Sequence, residues 1–192
     1  MNARILAEPP ESGSIPEVAF ARAGPPVTWV EFTDDAGERW AGVFDIGDPA
    51  FAERVVPFAG DPGAVFVLAR GCGYVVDVAA RTLRYRAARA VLLDVVAVPG
   101  RDFVMASDFQ HVLAYPSTGD GDALWERYVS LDGIALGRAT AEALTGYVEE
   151  ETSASDPITV WREFTVRFAD RRVAYGEIVP DRVARAREPE RR

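Results

Sequence analysis

The chain is punctuated too often to be helical. Short apolar runs are cut off by Gly, Pro or Asp again and again, and the alternation inside them has the period of a strand. Val27–Phe32 (VTWVEF) enters Asp34-Asp35-Ala36-Gly37 and returns as Arg39–Asp45 (RWAGVFD), which is hairpin composition. Ala64–Ala69 meets Gly71-Cys72-Gly73 and returns as Tyr74–Val78, with Leu83–Arg86 following. Val91–Val98 stops at Pro99-Gly100. Further runs occupy Phe103–Ala106, His111–Tyr115, Leu124–Val129, Ile134–Ala139, Leu144–Glu151, Ile158–Phe168 and Val173–Val179. Helical composition is limited to Phe51–Val56, enough for a turn or two, and to Arg84–Asp94. The expected fold is all-β, an antiparallel meander.

The runs repeat. Anchoring on Val27, Val65, Val104 and Leu144 gives intervals of 38, 39 and 40 residues. A four-stranded propeller blade occupies roughly 40–45 residues, so a propeller-like fold with about four blade-like units is expected. A β-sandwich or barrel is the alternative, because any β-meander turns every 8–12 residues or so. A chain of 192 residues suits one domain with a sizeable core. Pro9, Pro10 and Gly13 mark residues 1–14 as a flexible N-terminus, 15–180 form the β-rich domain, and 181–192 form a flexible Arg-rich tail. Within Ile158–Phe168 the even positions are apolar except for Arg162. Trp125, Trp161, Phe164, Val166 and Phe168 are therefore expected in one buried cluster, with Leu131 and Ile134 close by.

Phe103-Val104-Met105-Ala106-Ser107-Asp108, then His111-Val112-Leu113-Ala114-Tyr115, a Gly/Asp turn and Leu124-Trp125 resemble the blade pattern of pyrroloquinoline-quinone-type propeller repeats. Leu131-Asp132-Gly133-Ile134, Gly146, and Trp161 with Phe164 resemble a group of uncharacterised bacterial propeller-like proteins. The likeness covers about residues 60–178 and implies a scaffold, without bringing a catalytic residue. Four units reach the lower limit of the usual 4–8 or so blades.

Composition excludes much chemistry. All 21 basic residues are Arg, and there is one His and one Cys. Without Lys there is no Walker-type P-loop and no Schiff-base or kinase lysine. One His and one Cys exclude zinc fingers, HExxH sites, Cys-ligated clusters and intrachain disulfides. No cofactor is expected. The net charge is −9, and because residues 181–192 carry five Arg against three acids, residues 1–180 carry −11. Such a body repels phosphate backbones, so nucleic acid is not an expected partner, whereas a basic protein is. No run approaches the roughly 18 apolar residues of a membrane span, and Met1–Pro10 has no apolar h-region, so no signal peptide is expected. With a lone thiol and GC-rich codon bias, a bacterial cytoplasm is expected.

Each candidate for chemistry has a plainer account. Cys72 and His111 are the weak catalytic candidates, since a reactive thiol needs a base or a cation beside it. Ser107, Asp108 and His111 match a triad by type but lie on one hairpin, and triads are assembled from distant segments. Asp120 and Asp122 suggest a calcium loop, yet position twelve counted from Asp120 is Leu131 where an EF-hand needs Glu. Asp34, Asp35, Glu149, Glu150 and Glu151 are the acidic candidates for partner binding. The expected function is a non-catalytic protein-binding module, in its most specific form an acidic immunity-type protein that sequesters a basic partner. The alternative is a small hydrolase using a carboxylate pair or Cys72–His111.

Overall fold

The computed structural model describes residues 1–11, 13–21, 26–131, 133–151 and 159–179. Among them the chain makes sixteen strands in four four-stranded sheets, with no helix and hence none able to cross a membrane. The first sheet holds β1 (Asn2–Leu6), β2 (Glu17–Ala19), β3 (Val27–Thr33) and β4 (Arg39–Asp45) in the order β1-β3-β4-β2. Its last strand, β2, runs parallel to β4, while every other pairing among the described residues is antiparallel. The remaining sheets are meanders in chain order. The second takes β5 (Glu53–Phe58), β6 (Asp61–Ala69), β7 (Cys72–Asp77) and β8 (Thr82–Arg86). The third takes β9 (Asp94–Ala97), β10 (Phe103–Ser107), β11 (His111–Pro116) and β12 (Trp125–Tyr128). The fourth takes β13 (Ile134–Ala139), β14 (Ala143–Glu151), β15 (Thr159–Arg167) and β16 (Val173–Val179).

The repeat is real, and its phase is informative. Val27, Val65, Val104 and Leu144 fall on β3, β6, β10 and β14, the second strand of each sheet as ordered in space. Three expectations need correction. Phe51–Val56 is not helical: β5 starts at Glu53, where Val55 and Val56 favour an extended chain. Arg84–Asp94 is strand at its two ends and irregular between them. Residues 1–14 are not a loose end, since Asn2–Leu6 pairs with Leu6 opposite Trp29 and Asn2 opposite Thr33, and the prolines break the chain only afterwards. The Arg-rich tail and Ile158 lie outside the described residues.

The sheets stack through three cores. β6 makes the pattern visible, because Val65, Val67 and Ala69 face the first sheet while Ala64, Phe66 and Leu68 face the third. Against them stand Phe32, Trp40 and Phe44 on one side, and Val104, Leu113 and Tyr115 on the other. The third core joins Phe103, Met105 and Val112 to Leu136, Leu144, Phe164 and Val166. Strands β1, β5, β9 and β13 meet in succession, as the inner strands of propeller blades do. Among the described residues no comparable contact joins the fourth sheet to the first, so the four blades form an open arc. Trp125 and Phe168 pack against the third core and Ile134 lies within it. Leu131 corrects the expectation, standing 69% exposed, and Trp161 sits on the other face of β15, opposite Glu149.

Polar groups set how the blades align. Adjacent residues Glu53 and Arg54 begin β5 and point to opposite faces. Glu53 accepts from Thr28 Oγ1 of the first sheet at 2.5 Å, and Arg54 Nε lies 2.5 Å from Asp94 Oδ1 of the third. Arg84 spans the second seam, donating to Asp77 at 2.8 Å, to Asp61 at 2.5 Å and to the Ser117 carbonyl at 3.1 Å. Fully burying one Phe or Leu contributes about 1.5–3 kcal/mol, whereas a partly exposed ion pair contributes about 0–1 kcal/mol. The apolar seams hold the arc together and the ion pairs fix its register. Phe164→Ala is expected to lower stability by about 3–5 kcal/mol. Leu131→Ala should stay within about 0.5 kcal/mol. Urea midpoints check both, and equal midpoints would place Phe164 outside the core.

Candidate functional site

The residues singled out in the sequence scatter over separate seams. Cys72 is buried in the core between the first two sheets, where Arg86 donates to its Sγ at 3.2 Å and lies over the Tyr74 ring. His111 is on the third sheet, with Nδ1 at 3.3 Å from Asp108 Oδ1 and its ring edge-on to Tyr128 at 5.8 Å. The thiol and the imidazole thus have different partners in different blades. Ser107 is opposite Val112, one residue out of phase with His111, so their side chains leave opposite faces of the sheet. The Ser107 hydroxyl is buried without a hydrogen-bond partner. No nucleophile–base–acid line is assembled there.

The acids serve turns as well. Asp34 caps its own hairpin by accepting from the Ala36 and Glu38 amides, each at 2.9 Å, while Asp35 pairs with the amino terminus. Asp120 accepts from the Asp122 amide at 3.2 Å. Gly121 lies between them at φ +109°, and a Cβ there would meet the Arg86 carbonyl at 2.3 Å, so the loop is pressed against the second sheet. Among the described residues no group of three or more His, Cys, Asp or Glu could hold a metal. Asp34 is a turn residue that shapes its own hairpin.

Glu149 and Glu150 border a different kind of surface. Glu150 accepts from Arg162 Nε at 2.9 and 3.0 Å, and the Glu149 carbonyl accepts from Ser130 Oγ at 3.3 Å, which brings Leu131 alongside. Glu151 enters by backbone register, paired with Thr159. On β16, Ile178 is opposite Arg162. Tyr175 of the same strand crosses the seam to donate to the Val129 carbonyl at 2.9 Å. Burial, with the Tyr128 phenol and the Glu150 carboxylate nearby, holds its hydroxyl above the ordinary range. Tyr128, Leu131, Tyr175 and Ile178 are all about half exposed or more. The rim between the third and fourth sheets is therefore an apolar, aromatic patch edged by the Glu150 carboxylate, while the Glu149 side chain shares the other face of β14 with Trp161. Sequence reasoning found its acids and missed its rings, since exposure of a strand-end tyrosine has no signature in periodicity.

On the first sheet, Glu31 is nearly buried between two guanidiniums, at 2.7 Å from Arg39 and 3.2 Å from Arg4. Hydrogen bonds from Arg39 and then Arg4 outweigh the opposing effect of burial and hold its carboxyl below the ordinary 4.5. A carboxyl depressed on folding adds stability above its unfolded value and loses it as pH falls through the folded value. Denaturant midpoints should accordingly drop below about pH 4.5. Arg39→Gln should shrink that drop, because the folded carboxyl then titrates closer to its unfolded value, and an unchanged profile would mean that Glu31 does not couple to folding.

No protein-family profile and no curated protein sequence matches the chain. Among solved structures it is similar to the WD40 domain of Neurospora crassa Pan2, with a TM-score of 0.51 and 10% identity over 80% of this chain and 48% of that one. It is also similar to Kluyveromyces marxianus Hsv2, with a TM-score of 0.38 and 10% identity over 82% of this chain and 66% of that one. The chain spans about half the length of the Pan2 domain that it matches. With four four-stranded sheets stacked in succession, the fold is all-β and propeller-like, similar to that of the Pan2 WD40 domain.

Proposed function

We propose that this chain is a non-catalytic protein-binding module that takes a basic partner on the rim between its third and fourth sheets. One observation carries the reading: Tyr128, Leu131, Tyr175 and Ile178 stand exposed together beside the Glu150 carboxylate. Exposed aromatic and aliphatic anchors supply affinity when a partner desolvates them, and a strongly acidic body steers a basic partner and speeds its encounter. The most specific form of the reading is an immunity-type protein of a bacterial cytoplasm that sequesters a basic toxin. The likeness to pyrroloquinoline-quinone-type blade repeats supports a scaffold of this kind. A hydrolase built on Cys72–His111 draws no support from their partners, and no observation selects a carboxylate pair.

The test is to co-express the chain with the product of an adjacent reading frame and to measure association. The rate should fall steeply as salt is raised. Tyr175→Ala and Ile178→Asp should each weaken the complex by roughly thirtyfold, the approximately 2 kcal/mol of an interface hot spot. A rate indifferent to salt, together with unchanged affinity in both variants, would sink the proposal.

A further inference from the structure

We propose that two copies of this chain close into an eight-bladed ring, the first sheet of each seated on the fourth sheet of the other. The phase of the repeat points to it. Val65, Val104 and Leu144, one blade apart, each face the preceding sheet: Val65 packs on the first, Val104 on the second and Leu144 on the third. Val27 holds the same place in β3. Two residues further on, the later blades have Val67, Ala106 and Gly146, and the first has Trp29. Val27 and Trp29 therefore stand where a seam with a preceding blade would be. Among the described residues no sheet packs on that face.

The outward face of the first sheet is built as the seams are. By register Leu6, Trp29 and Val43 lie side by side across β1, β3 and β4, all partly exposed. An antiparallel sheet with one solvated face normally turns polar residues to water, so this apolar stripe is that of a contact surface. Arg4, Glu31 and Arg39 border it as a polar rim.

On the outward face of the fourth sheet is the complement, a hollow of about 380 Å³ lined by Gly137, Thr145, Gly146, Tyr147, Glu163 and Thr165. Thr145 pairs with Thr165, and Tyr147 with Glu163, on the side turned away from the third sheet. Trp29 and Gly146 share one repeat position, so the rotation from blade to blade brings the indole to the level of the hollow.

Closure and size agree. Propellers usually have roughly 4–8 blades, and this chain spans about half the length of the Pan2 domain. Head-to-tail contacts give a closed ring when the rotation returns on itself, here after two copies. A four-stranded face covers roughly 400 Å², from about 4.8 Å between strands and about 3.4 Å per residue. Two such seams bury roughly 1,600 Å² in all, the area of a standard stable interface.

Sedimentation velocity on the full chain at micromolar concentration tests the proposal, and a dimer is expected. Trp29→Glu should weaken it roughly a thousandfold, because a loss of about thirtyfold falls in each of two seams. Thr145→Trp and Thr165→Trp, which fill the hollow from two strands, should also give monomers. Trp29 belongs to none of the three cores, so its variant should keep the wild-type circular dichroism spectrum. Ile178→Asp should leave the dimer intact, which separates these seams from the rim. A wild-type monomer, association that grows past two copies, or a dimer that survives Trp29→Glu or both threonine variants would overturn the proposal.

Discussion

A sheet whose central strands are apolar on both faces must be covered twice. β6 and β7 are in that position, as are β10 and β11, because nearly every residue in them is buried. A two-layer sandwich would leave one face of each to water. Stacking in succession satisfies the second and third sheets completely and asks less of the end sheets. The end strands reflect this, with polar and charged positions such as Glu163 and Thr165 on the face of β15 turned away from the third sheet.

The exclusive use of arginine belongs to the same economy. A guanidinium presents several donors in a rigid fork, whereas an ammonium is a compact point charge. Arg84, anchored by Asp61 and Asp77 of its own sheet, reaches the Ser117 carbonyl across one seam, while Arg101 and Arg127 donate to the Ala141 and Arg171 carbonyls across the next, at 3.1 and 2.9 Å. These are links between blades made to backbone acceptors, independent of the partner's side chain.

Strand alternation made the blades and their period readable, since a run such as Val160–Phe168 declares which face is inward. It could not reveal β2, three residues long and paired in parallel, nor β5, where Glu53-Arg54 reads as a polar helix start until opposite faces of a strand are considered. Leu131 was misjudged because a large apolar side chain in a connection is under no pleat and needs no cover. The candidate sites fared by the same rule. Local turn chemistry, as at Asp34 and Asp120, follows from neighbours in sequence. The rim joins residues far apart in the chain, and nothing local announces it.

Among the described residues the main contacts between sheets run from each blade to the next, so the open arc behaves mechanically as a short stack. Its stability approximates a sum of blade and seam contributions, as in repeat proteins. Damage then has an address. A lesion at the third seam strips one terminal blade and leaves three stacked, whereas a lesion between the second and third sheets cuts the chain into two pairs. The molecule can loosen from an end without losing its middle.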